Sequence, residues 1–79
     1  MRSSGKTSEF LQNMAEILEL DEEEVSEELS FEDLAWDSLA VVSTIAAIDE
    51  YFDVMISGQS LGECKSMNDV LKLIDSKIN

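Results

Sequence analysis

Hydrophobic residues recur with the period of an α-helix in three segments of this chain. In the first segment they share one helical face, at Phe10, Leu11, Met14, Ile17 and Leu18. Thr7 or Ser8 can begin this helix, because a side-chain oxygen at the N-cap accepts a free backbone N–H. We therefore predict a flexible tail over residues 1–6 and a single domain over residues 7–79.

The second segment, from Ser38 to about Tyr51, carries two apolar lines. The first line has helical spacing and predicts a core-facing stripe, at Val41, Ile45, Ile48 and Phe52. The second line lies on a neighbouring face, at Leu39, Val42 and Ala46. A helix with two apolar lines either packs on both sides or keeps one line for a partner.

The third segment repeats the helical pattern near the end of the chain, at Met67, Val70, Leu71, Ile74 and Ile78. Ser66 and Asp69 mark its start, and Ser60 and Glu63 have the spacing of a capping box around a very short helical turn. The sequence has no proline and no alternating pattern typical of strands. It predicts an all-α fold, a small bundle of three substantial helices and one short helix.

The stretch between Glu19 and Asp37, here called the first loop, is acidic and has no clean hydrophobic period. Five apolar residues interrupt its charges and are expected to pin it to the core: Leu20, Val25, Leu29, Phe31 and Leu34. A loop this long in a small domain is uncommon and often functional. The alternative is that its acidic residues form a solvated, solubilising surface, and both interpretations can hold together.

The charge balance limits the classes of partner. The sequence has 5 Lys and Arg against 18 Asp and Glu, for a formal net charge of -13. All basic residues lie outside positions 7–64, at Arg2, Lys6, Lys65, Lys72 and Lys77. Nucleic acids and anionic membranes are bound through Lys and Arg, so we expect neither as a partner. A protein with a basic patch is favoured, because opposite fields speed encounter.

The side chains available for chemistry are few. Without His, and with Cys64 as the one cysteine, the usual nucleophile–base pairs and most zinc sites cannot be built, so we expect no catalytic residues and no metal. The first loop lacks the alternating ligand spacing and turn glycine of a calcium loop. Cys64 is expected to be a small buried hydrophobe. The chain shows no signal sequence and no run long enough to span a bilayer, so we expect a monomeric cytoplasmic protein.

The Asp37-Ser38-Leu39 sequence marks a helix start. Asp37 can cap the helix, and Trp36 at the preceding position could pack on Val41. The macrodipole and free N–H groups at a helix N-terminus favour a phosphate, which gives the Ser38 hydroxyl a functional interpretation beside that of a simple cap. Trp36 is either a staple over the first loop or an exposed contact for a partner.

The stretch FEDLAWDSLAVVSTIAAIDEYFDVMI resembles the central segment of acyl carrier proteins, with their D-S-L signature at Asp37, Ser38 and Leu39. EEEVSEELSFEDL is similar to the acidic first loop of that family, and SMNDVLKLID to its last helix, so the resemblance spans about Phe10 to Ile78. It implies a four-helix bundle with a long first loop and a short third helix. It also implies a carrier that is not itself an enzyme.

The resemblance implies that Ser38 receives a 4′-phosphopantetheine arm from coenzyme A through a phosphopantetheinyl transferase, with Asp37 and Leu39 flanking the attachment site. Acyl groups would then be carried as thioesters on the thiol of the arm and not on Cys64. Acyl-transferring or acyl-modifying enzymes with basic patches would be the further partners. The residues expected to bind them are Trp36, Val42, Ala46, Asp49 and Glu50.

The sequence departs from the family at several positions. Ala35 stands where the signature usually has Gly, and Ala40, Ser43 and Tyr51 stand where acids are common. These departures favour a dedicated biosynthetic pathway over general fatty-acid synthesis, although ordinary drift within the family would also produce them. A carrier of aminoacyl or peptidyl groups and a non-covalent acidic helical adapter remain as alternatives.

Overall fold

The computed structural model describes residues 4–32, 34 and 36–78. In that part of the chain, four α-helices are connected by loops, with one short 3₁₀ helix at Glu22–Glu24 and no strand. The four helices are α1 (Ser4–Leu18), α2 (Ser38–Phe52), α3 (Gly58–Gly62) and α4 (Met67–Ile78). The all-α fold with a long first loop and a short third helix is confirmed.

The start of α1 differs from the prediction. The helix begins at Ser4, so the N-cap predicted at Thr7 or Ser8 is wrong. Thr7 is buried because it lies one turn before Phe10 and Leu11 on the same face, which extends the packed face towards the N-terminus. Of the tail predicted over residues 1–6, residues 4–6 belong to α1, and residues 1–3 lie outside the described part.

The core lies between α1, α2 and α4, and α3 contributes Leu61 to it. Its largest fully buried side chains are Phe10, Met14, Thr44, Ile48, Leu61, Met67, Val70, Leu71 and Ile74. Phe10 packs edge-on against Phe52, with 5.5 Å between ring centroids. Thr44 is satisfied in this apolar setting, since its hydroxyl donates to the Ala40 carbonyl at 2.8 Å. The core stripe predicted for α2 is confirmed, with Ile45 half-buried at its edge.

The first loop is pinned to the core, as predicted. Val25 and Phe31 are buried, while Leu20, Leu29 and Leu34 are half-buried against the same cluster. Two backbone hydrogen bonds also tie the loop to the start of α4: Phe31 N–H donates to the Lys65 carbonyl and Met67 N–H to the Leu29 carbonyl, each at 2.8 Å. The first loop is therefore held along much of its length by side chains and backbone alike.

The two C-terminal helices are capped by serines. The N-cap of α3 is Ser57, whose Oγ accepts from Ser60 N–H at 3.1 Å. The start predicted at Ser60 is wrong, because Ser60 already lies within the helix. At α4 the predicted start is confirmed, since Asp69 N–H donates to Ser66 Oγ at 3.3 Å. Among the helices of the described residues, none has both the length and the apolar character needed to cross a membrane.

Candidate functional site

The N-terminus of α2 places Ser38 at the surface. Asp37 has an extended backbone, and its Oδ1 accepts from Ala40 N–H at 3.0 Å, which confirms the predicted cap. The carbonyl of Asp37 accepts from Val41 N–H at 2.9 Å and so begins the helical ladder. Ser38 is the first residue of the helix, and its side chain is exposed. A primary hydroxyl is thus presented to solvent at a capped helix end.

Trp36 connects the first loop to α3. Its indole stacks on Phe31 with ring centroids 4.4 Å apart and planes 28° from parallel. The indole Nε1–H donates to the Leu61 carbonyl of α3 at 2.9 Å. Trp36 is half-buried, and this arrangement favours the interpretation of Trp36 as a staple over the first loop.

An apolar depression of about 350 Å³, the Ser38 depression, lies between α2 and α3. Its lining residues are Trp36, Asp37, Ser38, Val41, Val42, Ile45, Gly58 and Gly62. On the α3 side, Gly58 leaves the backbone uncovered, and a Cβ there would meet Ile45 Cδ1 at 3.6 Å, an ordinary van der Waals contact. Ser38 therefore stands beside an apolar hollow with one wall of side chains and one wall of backbone.

The outward face of α2 is apolar at one end and acidic at the other. Leu39 is 75% and Val42 61% exposed, and Ala46 is exposed further along the same face. Asp49 and Glu50 continue this face towards the C-terminal end of α2, and both are exposed. The second apolar line of this helix is thus not packed against the described part of the chain. Among the predicted partner-binding residues, Trp36 alone turns its side chain inward.

Cys64 lies behind the site, directly after α3. It is 8% exposed, and its Sγ–H donates to the Ser60 carbonyl at 3.5 Å. Burial, with the nearby Asp69 and Glu63 carboxylates adding to it, raises the pKa of the Cys64 thiol from 9.0 to about 11. The thiol therefore stays protonated and weakly nucleophilic at neutral pH, which agrees with a buried hydrophobe.

In the described part of the chain, side chains that could bind a metal ion are not grouped together. No group of three or more His, Cys, Asp or Glu residues is placed there to hold a metal ion.

Comparison with known proteins decides the family. A family model described as a phosphopantetheine attachment site matches residues 8–74. The chain belongs to this family. It is 41% identical over 66 residues to an acyl carrier protein of Thermosynechococcus vestitus, covering 82% of each chain. It is also 30% identical over 64 residues to an acyl carrier protein homolog of Mycoplasmopsis pulmonis, covering 81% of this chain and 88% of the relative.

Members of the phosphopantetheine attachment family carry 4′-phosphopantetheine covalently and interact with phosphopantetheinyl transferases and acyl-handling enzymes. The residues around Ser38 fit such a group. The Ser38 hydroxyl is exposed. The first turn of α2 has N–H groups without helical partners, which can bind a phosphate. The Ser38 depression adds an apolar surface directly beside the attachment point.

Part of this site was missed by sequence reasoning. Gly58, Gly62 and Ile45 line the Ser38 depression, and the Leu61 carbonyl anchors Trp36. The available signal was the pair of glycines around a short turn, because glycine leaves the backbone uncovered by a side chain. A backbone carbonyl, by contrast, leaves no mark in the sequence.

Proposed function

We propose that Ser38 is the residue that bears the 4′-phosphopantetheine arm, and that this chain carries acyl groups as thioesters on that arm. The observation that carries the proposal is the exposed Ser38 hydroxyl at the first position of α2, within a chain whose family model spans residues 8–74. When bound, the arm supplies a terminal thiol that forms thioesters.

The residues around Ser38 have separate tasks in this function. Asp37 fixes the helix start through its bond to Ala40 N–H, so the Ser38 side chain leaves the surface at a defined point. The N–H groups of the first turn favour the negative charge of the phosphodiester by roughly 0.3–1 kcal/mol. Cys64, kept protonated by burial, does not compete for the acyl group, because thiolates and not thiols exchange with thioesters.

The outward face of α2 is the proposed docking surface. Leu39, Val42 and Ala46 offer apolar contact beside Ser38, while Asp49 and Glu50 attract basic patches on the phosphopantetheinyl transferase and on enzymes that transfer or modify acyl groups. Electrostatic steering speeds such encounters and keeps them sensitive to salt. Tethering the substrate raises its effective concentration at each enzyme in turn, so the chain acts as a carrier and not as an enzyme.

The pathway is proposed to be a dedicated one. Helix α2 has Ala40, Ser43 and Tyr51 at positions where housekeeping carriers commonly have acids. Ala40 is buried at the start of the helix, and Ser43 and Tyr51 are half-buried along it. The first loop has four exposed acids in a row instead, Asp21, Glu22, Glu23 and Glu24. This distribution of charge favours docking by enzymes matched to this surface over docking by those of general fatty-acid synthesis. The proposed location of the pathway is the cytoplasm.

Intact-protein mass after incubation with coenzyme A, Mg²⁺ and a broad-specificity phosphopantetheinyl transferase tests the attachment site. We expect the native chain to gain the mass of one phosphopantetheine, and Ser38→Ala to gain none. Ser43→Ala, which removes a half-buried hydroxyl on the same helix, is the matched control and should be modified like the native chain. Modification of Ser38→Ala would contradict the proposal by placing the arm on another residue. No modification of the folded native chain would also contradict it, and would favour an acidic helical adapter.

The identity of the carried group is tested on the modified protein. We expect poor loading by the malonyl transferase of a housekeeping fatty-acid synthase, with loading improved by Ser43→Glu, which adds an acid at a half-buried position of α2. Efficient malonyl loading of the native chain would place it in general fatty-acid synthesis. Loading by an aminoacyl-activating enzyme would instead assign it to aminoacyl or peptidyl transfer.

A further inference from the structure

Trp36 stands between two hollows of the molecule. The first is the Ser38 depression, of about 350 Å³. The second hollow has a volume of about 450 Å³ and is lined by Ser30, Phe31, Glu32, Trp36, Cys64 and Lys65. Of the residues that line either hollow, Trp36 is the one they share. The indole is therefore a partition between the surface beside Ser38 and the space against Phe31 and Cys64.

The partition is held in place from two directions. Stacking on Phe31 fixes the plane of the indole, and the hydrogen bond from Nε1–H to the Leu61 carbonyl fixes its orientation within that plane. Phe31 is itself anchored, because its N–H donates to the Lys65 carbonyl at 2.8 Å and the residue is 4% exposed. The Trp36 side chain therefore cannot rotate without losing its stacking on Phe31 or its hydrogen bond to the Leu61 carbonyl.

We propose that Trp36 is a specificity-determining residue that limits the length of the acyl group accommodated beside Ser38, a proposal that rests on the proposed function. The Ser38 depression is at the lower end of the roughly 300–1,000 Å³ typical of ligand pockets. Its walls at Val41, Val42 and Ile45 are apolar, so removing an alkyl group from water there is favourable. The Trp36 indole closes one end of this apolar surface. The end of a longer acyl group therefore has to extend into solvent.

Removal of the indole should extend the apolar surface. With alanine at position 36, the Ser38 depression opens into the second hollow, where Phe31 and Cys64 provide further apolar contact. With phenylalanine at position 36, an aromatic ring still faces Phe31 and the partition remains, although the hydrogen bond to Leu61 is lost. The pair of variants thus separates the role of the wall from that of the hydrogen bond.

The test uses acetyl, butyryl, hexanoyl, octanoyl and decanoyl phosphopantetheine arms, transferred to the full chain from the corresponding acyl-coenzyme A. The melting temperature of each loaded form is compared with that of the free-thiol form. In the native chain we expect the gain in Tm to rise with acyl length and then to stop. In Trp36→Ala it should stop one or more steps later in the series, and in Trp36→Phe at the native length.

The same cut-off in the native chain and in Trp36→Ala would overturn the proposal, and so would the absence of any dependence on acyl length. If Trp36→Ala does not fold, Trp36→Leu, which also removes the aromatic wall, gives the same comparison. Emission of Trp36, the one tryptophan of the sequence, is a second readout: it should shift as the acyl group lengthens up to the cut-off and not beyond. Failure of the native chain to accept any arm would instead refute the proposed function.

Discussion

Helices α2 and α3 form the two walls of the Ser38 depression, but they are held in different ways. α2 has 15 residues, its own N-cap at Asp37 and a buried stripe along its length. α3 has 5 residues, begins and ends with glycine, and buries Leu61 alone. Its carbonyl at Leu61 is bound from outside by the Trp36 indole.

The difference shows which part of the site depends on distant contacts. A helix of one or two turns is not stable alone, because the cost of nucleation exceeds what its few hydrogen bonds return. α2 is long enough for its cap and its apolar stripe to define it locally. The position of α3, and with it the shape of the Ser38 depression, is therefore set by Leu61 and by the first loop.

Leu61→Ala is expected to have the largest effect. Leu61 is fully buried, so its truncation leaves a cavity and should lower the free energy of unfolding by about 2–5 kcal/mol. Urea denaturation measures this value, and hydrogen exchange should show loss of protection in α3 before α2. Gln59→Ala, at an exposed position of the same helix, is the control and should stay within about 0.5 kcal/mol of the native chain. Equal losses from both variants would show that α3 is not held by its one buried side chain.

Removal of the two N-caps should give losses of similar size at different places. Asp37→Ala and Ser57→Ala each delete a side-chain acceptor for a first-turn N–H, which costs about 1 kcal/mol. Because α2 continues for many residues beyond its cap, Asp37→Ala should fray its first turn alone. Ser57→Ala should release the whole of α3.

Residue-level hydrogen exchange distinguishes these outcomes. Asp37→Asn is the matched control for α2, since an amide oxygen caps about as well as a carboxylate. If Ser57→Ala left α3 protected while Asp37→Ala unprotected α2 along its length, the comparison between the two helices would have to be reversed.

The sequence predicted the parts of the molecule that are defined locally. The cap at Asp37, the stripe from Val41 to Phe52 and the start of α4 at Ser66 follow from residues within a few positions of one another. The acidic first loop and its hydrophobic anchors were also readable, because periodic burial requires apolar side chains.

The parts that sequence reasoning missed depend on contacts between distant segments. The burial of Thr7, which extends α1 to Ser4, is decided by what packs on that face. The bond from Trp36 to the Leu61 carbonyl spans 25 positions and ends on a backbone atom. A backbone acceptor is present at every residue, so no side-chain pattern identifies the one that is used.

Titration of Cys64 is expected to have the smallest effect, because deprotonation removes a single hydrogen bond to α3 and leaves the sequence of α3 unchanged. The Cys64 Sγ–H donates to the Ser60 carbonyl within α3. The pKa of this thiol is raised in the fold from 9.0 to about 11 by burial, then by Asp69 and Glu63. A raised pKa means that the folded chain keeps the proton more tightly than the unfolded chain. The stabilisation is therefore fully present below pH 9 and is lost as the pH rises from 9 to 11.

Cys64→Ser isolates this effect, since a serine hydroxyl keeps a donor for the Ser60 carbonyl but does not titrate in this range. Under reducing conditions, the free energy of unfolding of the native chain should fall relative to that of Cys64→Ser as the pH rises above 9, with no relative change at neutral pH. Other groups titrate in both proteins, so the difference between the two curves reports Cys64. Hydrogen exchange should place the alkaline loss in α3 and not in α2. Parallel curves up to pH 11 would mean that the thiol is not held by its environment, and that α3 has one contact fewer than the geometry indicates.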